Sequence, residues 1–324
     1  MALAALSEDE QRIVFVQLCN TLDPRRAVYL SSTSSGLREL AQALLQQLRA
    51  DHEVAATLCC KVGMGSCKVL REATRVSWTR KGLSVADLTT LGTLGSVLPA
   101  LSTLTICEPT GAGGPDGVQR LAERLGAGAL PALTYLNFLL IHVGDTGASA
   151  LAAALGRGAL PRLKSLSLSG AAIGDAGLVA LAPALRRLPA LQHLALFRNQ
   201  FGDEGVAALV APPPPAGAQP QLPAGAQTPP TGVLTKLLSL DLRDTQIADA
   251  GCVALCAALV SGALPALEQL GGFHDGLIDI PASAAAIELV SAYLDIHVTN
   301  PHGDESEEDE EEDDKEDGVE EVEY

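Results

Sequence analysis

Cys252 and Cys256 stand four residues apart, a spacing at which two thiolates on one helix face could hold a metal ion. Three further thiols, Cys59, Cys60 and Cys67, crowd a short stretch nearer the N-terminus. Neither group is completed by a histidine or a second cysteine pair at ligand spacing, so the cysteines read as structural and no metal site is expected. His142, His193 and His274 fall in different parts of the chain, and no phosphate-cradling G-x-x-x-x-G-K-[ST] run or nucleophile elbow occurs. The expectation is a non-enzymatic protein with no catalytic residues and no cofactor. Seven cysteines, an odd count, fit a reduced interior. No apolar run is long enough to cross a membrane and no signal peptide is recognisable, so a cytoplasmic or nuclear location is expected, without membrane contact.

A second group of chemistry-bearing residues is periodic. Asp145, Asp175, Asp203 and Asp249 are each followed two residues later by glycine, at Gly147, Gly177, Gly205 and Gly251. Carboxylates could ligate a cation, but each Asp sits where a helical leucine period begins. There a short carboxylate accepts hydrogen bonds from the free N–H groups of the first turn. They are expected to cap their helices, with glycine allowing neighbouring units to pack closely.

The elements that position these residues repeat. The unit reads L-P-x-L-x-x-L-x-L, a turn, then (I/F/V)-x-D-x-G-x-x-A-L-x-x-A-L. The alternating leucines (Leu166 and Leu168, Leu194 and Leu196, Leu240 and Leu242) suit a short strand with one buried face. Pairs such as Leu151 and Leu155, or Leu181 and Leu185, suit one face of a helix. Leading leucines are spaced by 32 (Leu98 to Leu130), 30 (to Leu160), 28 (to Leu188), 46 (to Leu234) and 30 (to Leu264). The long interval holds residues 211–231, rich in Pro, Gly and Ala, which reads as an insertion into one unit rather than a domain boundary. A further copy through Leu70, Ala73, Val76 and Trp78 starts the array near residue 70, with Ser84 as an N-cap and Trp78 as a core residue.

This pattern resembles the leucine-rich repeat family, in its ribonuclease-inhibitor-like subfamily. The resemblance implies an α/β fold, a right-handed horseshoe-shaped solenoid with parallel strands on the concave face and helices outside. About seven units would span residues 70–300, between a helical cap (1–69) and an acidic tail (301–324). The family's turn residue after the strand is Asn or Cys; only Asn199 fits, Ala171 and Thr245 standing elsewhere, so less regular turns are expected.

In such an array the leucines point inward and the alternate residues face a partner. One row would be Arg75, Thr103, Tyr135, Ser165, His193, Ser239 and Gln269; a second Ser77, Thr105, Asn137, Ser167, Ala195, Asp241 and Gly271; a third Thr79, Cys107, Leu139, Ser169, Phe197, Arg243 and Phe273. Among these mainly small residues, Tyr135, Leu139, His193, Phe197, Asp241 and Arg243, with Arg198 beside them, are the expected contacts to a protein partner, because exposed aromatics and arginines anchor interfaces.

The first seventy residues do not repeat. Ser7 and Glu10 form a capping box, Asp23-Pro24 opens a second helix, and a long amphipathic helix follows Gly36. Residues 13–40 resemble an F-box through Phe15, Leu18, Leu22, Asp23, Pro24, Val28 and Leu30, although its opening Leu-Pro and the tryptophan expected near Arg38 are missing. That resemblance implies contact with a ubiquitin-ligase adaptor through Phe15, Leu18, Leu22, Pro24 and Leu30, making the chain a substrate receptor.

Residues 303–324 hold fifteen of the 39 acids and one lysine, which leaves the rest of the chain nearly neutral. So little apolar surface cannot form a core, and the tail is expected to be disordered. Repeats followed by an acidic tail resemble the layout of Ran GTPase-activating proteins, which implies a small GTPase as an alternative partner; Arg75, Arg80 and Asn199 are the nearest residues in character. Nucleic acid is not an expected partner, since the one basic cluster (Lys61, Lys68, Arg71, Arg75, Arg80, Lys81) is small beside the tail's charge.

Overall fold

The computed structural model of the chain describes residues 20–32, 35–109, 113–211, 234–271 and 280–297; the side chains of residues 30, 35–41 and 293–297 are outside the description. Expectations for Phe15, Leu18, the Leu30 side chain, the Ser7–Glu10 capping box, Phe273, His274, most of the Pro-rich insertion and the acidic tail therefore lie outside the described residues.

Among the described residues three helices come first: α1 (Arg25–Ser32), α2 (Ser35–Val62) and α3 (Cys67–Glu72). Strand and helix then alternate: β1 (Arg75–Thr79), α4 (Val85–Leu94), β2 (Thr103–Cys107), α5 (Gly114–Gly126), β3 (Tyr135–Leu139), α6 (Gly144–Gly156), β4 (Ser165–Ser169), α7 (Asp175–Leu185), β5 (His193–Ala195), α8 (Asp203–Val210), β6 (Ser239–Asp241), α9 (Asp249–Val260), β7 (Gln269–Gly271) and α10 (Ala284–His297). The seven strands form one sheet in chain order, every neighbouring pair parallel. Parallel neighbours need a crossover, which each helix supplies in the right-handed sense such units adopt. The product is a right-handed α/β solenoid with strands along one face and helices along the other.

Register follows the leucines. Val76, Leu104, Leu136, Leu166, Leu194, Leu240 and Leu270 pair in sequence across the sheet, and all are buried. Trp78, Ile106, Phe138, Leu168, Leu196 and Leu242 make a second buried line, so Trp78 is a core residue. Helix leucines such as Leu151, Leu181 and Leu255 close the core from the other side. With no unit able to bury its own apolar face, the stack is the source of stability.

The insertion does not interrupt the array. Strand β5 pairs directly with β6, and α8 packs on α9. At the start, α4 opens with a reciprocal cap: Asp87 N donates to Ser84 Oγ at 3.3 Å, and Ser84 N donates to Asp87 Oδ2 at 2.8 Å. Lys61 Nζ reaches the same carboxylate at 2.5 Å, tying the end of α2 to the first repeat. Burial pushes the Asp87 carboxyl up, yet the hydrogen bonds from Lys61 and Ser84 outweigh it and hold the group below the ordinary carboxylate range. Leu70, read as the start of the first unit, lies in the short helix α3, which Ser66 caps.

Candidate partner-binding face

Three rows of side chains cross the concave sheet in the order the leucine spacing dictates. Thr103 pairs with Tyr135, Tyr135 with Ser165, Ser165 with His193 and His193 with Ser239, which is the first row. Tyr135 is 41 % exposed, and His193 is exposed two strands away. In the third row Leu139 pairs with Ser169, and Gly170 N donates to Phe197 O at 2.9 Å, which places Phe197 on the far side of Ser169.

The central strand departs from alternation. Ser167 and Ser169 are 8 % and 1 % exposed, although their row positions face the concave side, and their hydroxyls lie 3.0 Å apart. The larger Leu139 and Phe197 flank Ser169 along its row, so a small hydroxyl sits in a trough between apolar ridges. The face at β4 is therefore closed over small hydroxyls by larger side chains rather than being a uniform polar surface.

The charged residues are organised among themselves. Arg243 donates through Nε to Asp241 Oδ1 at 3.0 Å and through Nη2 to Asp241 Oδ2 at 2.7 Å, and its guanidinium carbon stands 5.8 Å from the Phe197 ring centroid. A two-point carboxylate contact and an aromatic face fix an arginine's orientation. Arg198, exposed, donates through Nε to Asp244 Oδ2 at 2.9 Å. Both residues sit in the left-handed turn after their strands, with φ of 57° and 53°. Asp241 thus serves as the holder of Arg243. Asp244, which sequence reasoning passed over, does the same for Arg198; the signal for it is the acid one unit on from Arg198.

The four aspartates cap helices, but not their own. Asp145 Oδ1 accepts from Gly174 N at 2.7 Å and Gly177 N at 3.1 Å, at the start of α7. Asp175 Oδ1 accepts from Gly202 N at 2.8 Å and Gly205 N at 2.7 Å, ahead of α8. Asp203 Oδ1 accepts from Ala248 N and Gly251 N, both at 2.8 Å, across the insertion, and Asp249 Oδ1 accepts from Ser283 N at 2.6 Å before α10. Helices α6 to α9 carry no side-chain cap from their own N-cap residue. The carboxylate lies within its own first turn, too far along to fold back, and points to the amides of the following unit. The recurrent glycine now has a cause. A Cβ at Gly177, Gly205 or Gly251 would lie 2.5, 2.8 or 2.6 Å from the capping oxygen.

Two buried polar side chains tie turns together in the same inter-unit manner. Asn199 Oδ1 accepts from Ala171 N at 3.2 Å and Ile173 N at 3.0 Å, while its amide donates to Leu168 O and Leu196 O. It is 3 % exposed and fully engaged, so it has no group left to offer a GTPase. Glu108, fully buried, accepts from the backbone N–H of Lys81 and of Gly82 and serves the first turn as Asn199 serves a later one. Sequence reasoning missed Glu108; its signal is a lone acid directly after the strand-forming run TLTIC. Where the unit has Thr245, its hydroxyl donates to Leu242 O at 2.8 Å.

At the N-terminal end, Leu22 is 3 % exposed and packs with Leu58, Cys59 and Leu70. Leu22 also lines the wall of a neighbouring cavity. Pro24 lies half-buried at the wall of a cavity of about 600 Å³ between α1, α2 and α3, together with His52, Cys59 and Cys67. Burial pushes the Cys59 thiol up to about 12, with Cys67 and Cys60 beside it acting in the same direction. Burial pushes Cys252 up to about 11, reinforced by Asp249 and Asp203. Thiols held protonated in this way are poor nucleophiles and poor metal ligands.

With this geometry in hand, comparison with known families gives one result. The family model described as Leucine Rich repeat matches residues 160–182, 188–210 and 233–256. The chain carries leucine-rich repeats. The three matched repeats span β4 with most of α7, β5–α8, and β6 with most of α9, and two of them flank the insertion. Among solved structures, an internalin from Listeria monocytogenes is similar at 12 % identity and a TM-score of 0.25, covering 76 % of this chain and 94 % of that one. No curated protein matches the chain.

Proposed function

We propose that this chain is a non-enzymatic scaffold that grips a protein partner on the concave face of its leucine-rich repeats. The observation that carries the reading is the set of large side chains on the sheet face, with Tyr135 exposed on one row and Leu139, Phe197 and the fixed Arg243 on another. Aromatics and an oriented arginine on one sheet face suit a protein surface, where such anchors each contribute about 2 kcal/mol. The test is affinity capture compared between wild type and the double variant Phe197→Ala with Arg243→Ala. Captured proteins are expected to fall by an order of magnitude or more; equal recovery removes the concave face from the reading.

The finer reading is that of a ubiquitin-ligase substrate receptor, supported by the F-box resemblance and by Pro24 at the rim of the N-terminal cavity. Purified ligase adaptor mixed with the full chain at micromolar concentration tests it, and absence of a complex ends it. The alternative, GTPase activation on Ran, draws support from Arg75 and Arg80, both exposed and in no ion pair among the described residues. Single-turnover GTP hydrolysis unchanged by the chain removes that alternative.

A further inference from the structure

Every repeat helix runs antiparallel to the strands, so helix C-termini and strand N-termini share one edge of the solenoid. On that edge stand Arg124 in the last turn of α5, Arg157 directly after α6, Arg162 and Lys164 before β4, Arg187 after α7 and Lys236 before β6. All six are exposed, and none pairs with a carboxylate among the described residues. The connections 127–134, 157–164, 186–192 and 211–238 contain no Asp or Glu, while the last one, 261–268, holds the single exposed acid Glu268. Glu123, near the end of α5, is engaged by Arg120. Acids crowd the opposite edge instead, at Asp116, Asp145, Asp175, Asp203, Glu204 and Asp249.

Part of this polarity complements the helix dipoles, which favour cations in the last turn. Arg162, Lys164 and Lys236 are not in helices, so that argument does not reach them. A row of unpaired cations on one edge asks for an anionic partner, and the chain supplies one. Helix α10 packs on α9, and Asp249 receives the Ser283 N–H just ahead of it, as the earlier aspartates receive theirs. Helix α10 therefore ends on the cationic edge, and the segment after His297 starts there.

We propose that this edge is the docking surface for the chain's own acidic segment, residues 303–324. Its net charge of −14 (fifteen acids, one lysine) complements the row. The reach suffices: residues 298–324 span up to about 90 Å when extended, and four helix steps from α10 to α6 cover about 32–40 Å. Each exposed pair is weak, about 0.2–1 kcal/mol, but tethering gives the acids an effective concentration on the order of millimolar. The docked segment borders the concave face and sets an electrostatic condition on what enters it.

Zero-length carbodiimide coupling of the full chain, read by mass spectrometry, tests the proposal, with mixed light and heavy isotope-labelled protein separating contacts within a chain from those between chains. Amide bonds from carboxylates of residues 303–324 to Lys164 and Lys236 within one chain are expected. They should fall about fivefold or more at about 0.5 M salt, where screening shortens to a few ångströms. They should fall similarly in Arg157→Glu/Arg162→Glu/Arg187→Glu. Coupling of Lys61 to Asp87, held at 2.5 Å, reports that the variant is folded, and the salt series on wild type stands if it is not. Absence of tail coupling to Lys164 and Lys236, coupling mainly to Lys61, Lys68 and Lys81, or coupling only between chains overturns the proposal.

Discussion

At the residue scale, a pair defined across two units governs this molecule: an aspartate in one repeat and a glycine in the next. Asp175 and Gly205 illustrate it. Gly205→Ala gains helix propensity, about 1 kcal/mol, but places a Cβ 2.8 Å from the oxygen that caps Gly202 and Gly205. The change is expected to destabilise the wild type in urea titrations. In the Asp175→Ala background, which itself costs about 1 kcal/mol, the same change is expected to be clearly less destabilising, the remaining close contacts being Phe201 Cβ at 3.1 Å and Leu178 Cδ2 at 3.2 Å. Equal effects in both backgrounds would separate the two residues. Thiol chemistry is a second residue-scale matter. Cys60 is exposed, whereas Cys59, Cys67, Cys252 and Cys256 are buried. Iodoacetamide labelling followed by peptide mapping should modify Cys60 in the native state, and those four only on unfolding.

At the element scale, the link between α2 and the first repeat rests on Asp87, whose pKa is lowered in the fold. A carboxylate of this kind stabilises above its unfolded pKa, about 3.9, and the contribution disappears as pH falls through the lower folded value. The stability gap between wild type and Asp87→Asn should be full at pH 6 and should close as pH falls below the unfolded value and through the lower folded one. A gap independent of pH would assign the effect to packing. The elements themselves were legible, because Leu194 with Leu196 and Leu181 with Leu185 encode strand and helix by period alone. The first two concave rows followed directly, each residue falling on its predicted partner through Gln269 and Gly271, and the third as far as Ser169. What the sequence hid was direction: a capping box lies within one helix, but Asp145 looks forward to Gly174, a contact that no local window contains. Hidden too were the buried Ser167 and Ser169, whose burial comes from taller neighbours on adjacent strands, and Leu22, whose place in the core depends on α2 and α3 folding against it.

At the scale of the whole molecule, β5 pairs with β6 while Asp203 caps α9 from the other side of the insertion. Removing about sixteen residues within 212–231 changes a loop-closure entropy that varies only with the logarithm of length. Stability should therefore move by less than about 1 kcal/mol, as read from the denaturant midpoint. A large loss would make the insertion part of the core. The forward-pointing aspartates also give the array a sense that a sheet of identical parallel strands would lack. Pro115 stands where the later units have their acid, so the relay begins at Asp145 and runs toward the C-terminus. Cutting whole units from the C-terminal end would strand one solvated carboxylate. The same cut at the other end would leave a helix with bare amides. Because a ribosome delivers the N-terminal units first, each of these carboxylates emerges before the amides it caps.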